Sequence, residues 1–396
     1  MNNASVIKPA QPLGYVGSLV AEMFATGWTE PFIENIPEHG CTIGTSTGTK
    51  RARNEDRAAI ASVAARNGER YCVALLCDGV GGSSMGDAAA GICIAAIIDG
   101  LSKLDTKYSL DRILSDLVRY ADDVIRDELR GKGQTTLSAL LASSRGECIA
   151  INVGDSRIFS WDGRRSSFVQ ISRDDTIENE LAALPLLDQS MLDERGLRGT
   201  LSQALGEVNR SATDLRLTVL TADHFGSGGA VLASDGAWKG AEQAFLLIAS
   251  HSGKASDLVR RTLSVAAWTG GLDNVSVVAI ENCRSFAAGN APDLMMNYKE
   301  AGTTVWIRNT KLVIRDSWIA EERGPSPQQP KHVKRGKELT GSSRPKRKSA
   351  SRKRASLAGP QLDGLKELPE TSGAVQPRLI GLKQKVVITT DDEDGQ

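Results

Sequence analysis

Apolar residues along this chain follow two rhythms. In Leu110–Leu129 they recur every three or four positions, at Ile113, Leu114, Leu117, Val118, Ala121, Val124, Ile125 and Leu129. That spacing lines one face of an α-helix, and Ser109 before it is a suitable N-cap. Asp87–Leu101, rich in Ala and Ile, predicts a buried helix, and Ala241–Ser250 and Ala255–Trp268 predict two more. The second rhythm is a short continuous apolar run, the mark of a strand covered on both faces. Tyr71–Cys77, Thr135–Ser143, Cys148–Val153, Arg157–Trp161, Arg216–Leu220, Gly229–Ala233 and Val275–Ile280 read this way, with a hairpin turn at Asp162-Gly163. Thr303–Ile307 and Lys311–Ile314 read as a further hairpin around Arg308-Asn309-Thr310. Strands in mostly antiparallel succession, with helices in two groups, predict sheets covered by helices.

Several of these runs end in acid. Tyr71–Cys77 leads into Asp78-Gly79, and Ala230–Ala233 into Ser234-Asp235-Gly236. Asp273-Asn274 opens the run from Val275, and Glu55-Asp56 follows a segment that begins near Thr42. A carboxylate at the end of a buried strand is carried to the rim of its sheet. Several such strands side by side gather the acids into one cluster, where they cannot all ionise cheaply. A divalent metal with hard oxygen ligands is the usual remedy.

Charge divides the chain unevenly. Lys331–Arg354 holds eleven Lys or Arg and one acid, Glu338, while the whole chain is formally neutral. Everything outside that stretch is therefore net acidic. The six cysteines, at 41, 72, 77, 93, 148 and 283, form no C-x-x-C pair, and several sit inside apolar runs. They read as buried reduced thiols and point to a reducing, cytoplasmic setting. Met1–Pro12 lacks a charged segment followed by a long apolar one, so no signal peptide is expected, and no run approaches a membrane span. The organisation expected is an N-terminal extension (1–40), one globular domain (41–284), a β-hairpin extension (285–323) and a disordered tail (324–396), basic and then acidic.

An Asp-Gly pair alone is an ordinary turn. Here the pieces come in one order: Arg51-Ala-Arg53-Asn54-Glu55-Asp56, Asp78-Gly-Val-Gly-Gly82, Gln134-Thr-Thr136, Val153-Gly-Asp155-Ser-Arg157, Ser234-Asp235-Gly236 and Gly270-Gly-Leu-Asp273-Asn274. This set resembles the type 2C metal-dependent Ser/Thr protein phosphatases over roughly residues 41–284. The resemblance implies an α+β fold, an α-β-β-α sandwich of two antiparallel sheets flanked by helices. It also implies two Mn²⁺ or Mg²⁺ ions, with a third in several members. By motif match, Asp78 would bridge the two ions and the Gly79 carbonyl would be a further ligand, with Glu55 on one ion and Asp235 and Asp273 on the other. Asp155 would join Asp235 at the third ion, Asp56 would hydrogen-bond the water the ions activate, and Arg51 would grip the substrate phosphate. Read without the resemblance, Asp155 is equally a turn residue able to pair with Arg157.

The chain departs from the family at three places. Val80 stands where some members have a His that protonates the leaving group, and Lys239 where many have Asp. Residues 173–205 fall where the family has its flap but match it loosely, and substrate preference is expected there. The activity implied is hydrolysis of phosphoserine and phosphothreonine in proteins, opposite a cognate kinase. The alternative is a catalytically weak regulatory or binding protein on the same fold, targeted by its tail. The basic run is a candidate arm for nucleic acid or an acidic partner, and a nuclear-import signal if the protein acts in a eukaryotic cell. The end, Val386-Val-Ile-Thr-Thr-Asp391-Asp-Glu-Asp394, has the pattern of a segment that binds by adding a strand to a sheet edge.

Overall fold

A computed structural model describes residues 12–80, 84–182, 196–197, 199–288, 302–315 and 385–390. All of them belong to one compact unit. Two antiparallel sheets pack face to face. The first runs, in spatial order, β1 (Phe32–Ile36), β2 (Cys41–Ser46), β11 (Val275–Ile280), β10 (Gly229–Ala233), β7 (Arg157–Asp162) and β8 (Ser167–Gln170). The second runs β14 (Lys385–Thr390), β13 (Thr310–Arg315), β12 (Gly302–Ile307), β3 (Arg57–Ala64), β4 (Arg70–Cys77), β5 (Leu137–Ser143), β6 (Cys148–Val153) and β9 (Thr218–Leu220). Helices α2 (Gly86–Lys103) and α3 (Leu110–Leu129) cover the second sheet, and helices Glu242–Ser250 and Ala255–Trp268 cover the first. The chain thus has the α-β-β-α architecture expected.

The central strands show why their sequences run apolar without alternating. In β10, Ala230 and Leu232 join the core between the sheets, while Val231 and Ala233 join the core under the outer helices. In β11, Val278 and Ile280 face the first core and Val277 and Ala279 the second. Both faces of a strand with a two-residue repeat are buried, so both sets of positions must be apolar. Helix α2 obeys the same logic. It lies between the sheet, α1 (Tyr15–Phe24) and α3, and is buried nearly all round, whereas α3 has one wet face and is amphipathic.

Four local readings change. The segment before Cys41, expected as an extension, is part of the sandwich: β1 pairs with β2 from Phe32↔Thr45 to Ile36↔Cys41. Helix α1 packs on α2, where buried Asp99 accepts hydrogen bonds from the Gly14 and Gly17 N–H groups at 3.0 Å each. The turn after β7 spans Gly163–Ser166 rather than Asp162-Gly163 alone. The Asp162 carboxylate accepts from the Arg164 and Arg165 N–H groups, and the left-handed residue is Ser166, at φ 52°. β5 starts at Leu137, because Thr135 and Thr136 are turned toward the loop that follows β4. The expected hairpin of 302–315 forms around two residues, Arg308 and Asn309, at φ 52° and 56°, as a tight turn with matching twist requires, and Thr310 is already strand.

The tail expected to be disordered contributes β14. Its backbone pairs with β13 from Arg315↔Lys385 to Thr310↔Thr390, so the strand-addition pattern at the C-terminus is met within this chain. The basic run 331–354 and the acids 391–394 lie outside the described residues. Among the described residues, no helix is long and apolar enough to cross a membrane.

Candidate active site

Strand ends explain the site. β4 and β10 finish, and β3 and β11 begin, at the same end of the sandwich: Arg57 pairs with Cys77, Ala233 with Val277 and with Arg157. The acids that flank these strands therefore meet. Glu55, Asp78, Gly79, Asp155, Asp235 and Asp273 all line one cleft of about 470 Å³, with Arg51 and Lys239. Asp56 lies fully buried beside it. Gly79 is held where a Cβ would come within 2.5 Å of the Gly86 backbone, and at Gly236 one would come within 2.0 Å of the Asn274 carbonyl oxygen. Any side chain at either position would push the loops apart.

Buried polar groups fix the loops. Asn274 donates through Nδ2 to the Thr47 and Arg53 carbonyls (2.9 and 3.0 Å) and accepts through Oδ1 from the Glu55 N–H (2.8 Å). One amide thus ties the loop before β11 to the loop before β3. The buried Arg57 guanidinium donates to the Asn54 and Asp56 carbonyls (2.7 and 2.8 Å) and lies 4.9 Å over the Trp28 ring. Trp28 in turn bridges Asn54 through its backbone. The Asp78 carbonyl accepts from the Thr136 N–H and the Thr135 hydroxyl at 2.9 Å, and the Asp78 N–H donates to Thr136 Oγ1 at 3.1 Å. Arg57 and Trp28 were not singled out by sequence reasoning, and Asn274 only as a motif letter, since their contacts join segments far apart in the chain.

The carboxylates differ in how their charge is met. Asp56 Oδ2 accepts from the Ser234 hydroxyl at 2.7 Å, while Oδ1 is buried with no hydrogen-bond partner among the described residues. Burial, and then the charge of Asp235, pushes Asp56 up to about 7 against the pull of the Ser234 and Ser276 hydroxyls. Asp78 is pushed well above the carboxylate range by burial and then by Asp56, Asp235, Asp155 and Asp273. Burial and Asp235 push Asp155 up to about 6, and burial raises Glu55. Asp273 goes the other way. Burial raises it, but hydrogen bonds from Arg51 and Lys239 outweigh that and hold it low. Arg51 grips Asp273 with Nε on Oδ1 (2.7 Å) and Nη2 on Oδ2 (3.0 Å). Lys239 Nζ bridges Asp235 Oδ2 (2.6 Å) and Asp273 Oδ2 (3.0 Å). Arg157 turns away from Asp155 and pairs instead with Asp174 and Glu242.

Solved structures match this chain over its sandwich. A bacterial serine phosphatase aligns at TM-score 0.51 and 18% identity, over 61% of this chain and 97% of that one. The S. agalactiae serine/threonine phosphatase aligns at TM-score 0.51 and 20% identity, over 63% of this chain and all of that one. The chain has the fold of these bacterial phosphatases. No protein-family model matches the sequence, and no curated protein matches it significantly. The likeness drawn from motif order therefore holds in three dimensions, at the level of the fold.

Within this fold the departures have definite places. Val80 lines the cleft and offers no proton. Lys239 is drawn into the acidic cluster. Of the loosely matching stretch, Gly199, Thr200, Leu201 and Ala204 line the cleft, while 183–195 and 198 lie outside the described residues, as do Gly81 and Gly82.

Proposed function

We propose that the chain is a metal-dependent protein Ser/Thr phosphatase. The observation that carries this is the convergence of five motif acids and Gly79 on one cleft, in a fold shared with bacterial serine/threonine phosphatases. The donor set suits Mn²⁺ or Mg²⁺: hard oxygens from crowded, mutually repelling carboxylates and one backbone carbonyl, with one buried oxygen, Asp56 Oδ1, left without a partner among the described residues. Among the described residues no three such groups converge closely enough to hold a metal as they stand, so binding would draw them together. Asp78 would serve both ions, with Glu55 on one and Asp235 and Asp273 on the other, and the Gly79 carbonyl would be a further donor. Asp155 with Asp235 would hold a third. Bound there, such ions would supply Lewis acidity and lower the pKa of a shared water.

The chain's own groups do the rest. Arg51, half-exposed at the mouth, presents a planar fork that fits phosphate oxygens. It lines the cleft while paired with Asp273. Asp56, locked by Ser234 through Oδ2, keeps Oδ1 as an acceptor for a water proton. Gly199, Thr200, Leu201 and Ala204 border the space a phosphoprotein segment would occupy. The test is hydrolysis of phosphoserine and phosphothreonine peptides with Mn²⁺, Mg²⁺ or EDTA. Turnover with either ion and none in EDTA is expected, and full activity after exhaustive metal removal would sink the reading.

A further inference from the structure

We propose that Lys239 is a resident cation of the cleft. It occupies the Asp235–Asp273 pair in metal-free protein and must be displaced before a divalent ion is held there. The inference rests on the metal-dependent reading above and adds a property of this chain, since the acid expected at this position is replaced by a base.

The geometry is specific. One ammonium bonds to carboxylates from two loops, one after β10 and one before β11. The stem is fixed at its root, because residues 235–239 form a tight turn in which the Trp238 and Lys239 N–H groups donate to the Asp235 carbonyl at 3.1 and 2.9 Å. Trp238 anchors that turn: it is buried, packs on Phe159 and Phe245, and carries the Arg157 guanidinium 4.4 Å over its ring. Lys239 therefore reaches the cluster from a rigid base, while its side chain remains half-exposed. That exposure gives the ammonium a way out to water when an ion arrives. Asp56, Asp78 and Asp155 form no ion pair with a Lys or Arg among the described residues.

Two consequences follow. The two ions load unequally, the one on Asp78 and Glu55 first and the one on Asp235 and Asp273 at higher concentration. Metal-free protein is also held together at this end by its own lysine. Half-exposed ion pairs are weak, so the handicap to the second ion is about tenfold in affinity rather than a block.

The experiment is calorimetric titration of the full chain with MnCl₂, in wild type, Lys239→Met and Lys239→Arg, with melting temperatures in EDTA and in Mn²⁺. Lys239→Met keeps most of the stem and removes the charge. It should bind one Mn²⁺ about tenfold more tightly than wild type. It should also melt lower in EDTA and gain more from Mn²⁺. Lys239→Arg keeps a cation and should show no tightening. If Lys239→Met fails to fold without metal, Lys239→Gln replaces it with the same expectation. Equal Mn²⁺ affinity in wild type and the neutral variants overturns the role of Lys239 alone. No Mn²⁺ binding by any of these folded proteins overturns both this inference and the metal-dependent reading.

Discussion

On one side of the cleft, Asp235 and Asp273 are bonded to Lys239 and Arg51. On the other, fully buried Asp56 lies beside part-buried Asp78, and neither has a cation partner among the described residues. The residue type is the same, though Asp56 is fully buried while Asp235 and Asp273 keep some exposure. What differs is the source of compensation. The first pair is balanced from within the chain, by side chains long enough to leave again. The second can be balanced only by protons or by something that binds. A buried charge without a partner costs several kcal/mol unless it is neutralised, so the Asp56–Asp78 side is where folding works against itself. Such local conflict, in a sequence otherwise consistent with its fold, marks a working site.

The largest effect should come from breaking the uncompensated side. Asp78→Asn is expected to lower kcat/KM on a phosphopeptide by about a thousandfold. Asp235→Asn should also cost orders of magnitude, because a carboxylate proposed to hold an ion is lost there too. A wild-type rate in Asp235→Asn would mean that the lysine-bridged side takes no part in the chemistry. Arg51→Ala comes next. Loss of a charged hydrogen-bonding fork should reduce kcat/KM by about ten- to a hundredfold. Calorimetry should find Mn²⁺ binding retained or tightened, since Asp273 is freed. Weakened binding with the fold intact would assign Arg51 to holding the site together.

The comparison also predicts a trade between activity and stability. Asp56→Asn removes a buried charge with an unpartnered oxygen, and its amide can donate where the carboxylate could not. In EDTA the variant should be about 1–2 kcal/mol more stable than wild type, while its activity in Mn²⁺ falls. Chemical denaturation in EDTA measures this directly. A destabilised variant would show that the Ser234 hydrogen bond outweighs the desolvation of Asp56.

The two sides were not equally legible in the sequence. Acids at the ends of apolar runs are local features. Once β4 and β10 are read as buried strands, Asp78 and Asp235 must reach a rim. The bridge from Lys239 to Asp273 is tertiary, joining positions 34 residues apart through the pairing of β10 with β11. Sequence could note Lys239 as a departure but not where its ammonium goes. Asn274 was visible as a motif letter, yet its task of tying Thr47, Arg53 and Glu55 together depends on loops that meet only in the fold. The segment before Cys41 looked like an extension because β1 is short and half-polar, which suits an edge strand. β14 was hidden for a different reason. Its partner β13 lies some 70 residues earlier, across a stretch with no apolar periodicity.

β14 also supplies the smallest expected effect, and the one most remote from the cleft. It is an edge strand, separated from β3 by β13 and β12. Nothing in that arrangement touches the acidic cluster, so a chain ending near Glu322 should hydrolyse a small phosphopeptide within a few-fold of wild type. The same deletion leaves the N–H and C=O groups along one side of β13 unpaired, and an open edge invites pairing with another chain. The truncated protein should therefore show a raised tendency to self-associate, read by light scattering against concentration, with kcat/KM nearly unchanged. Substituting Val387→Pro in the full chain separates edge from tail, because proline removes a ladder donor and disfavours the strand while the charged segments remain. If the Pro variant self-associates like the truncation, strand pairing on β13 is the cause. If activity collapses in either protein while it stays folded and binds Mn²⁺, the segment after β13 completes the site, and the separation drawn between cleft and edge is wrong.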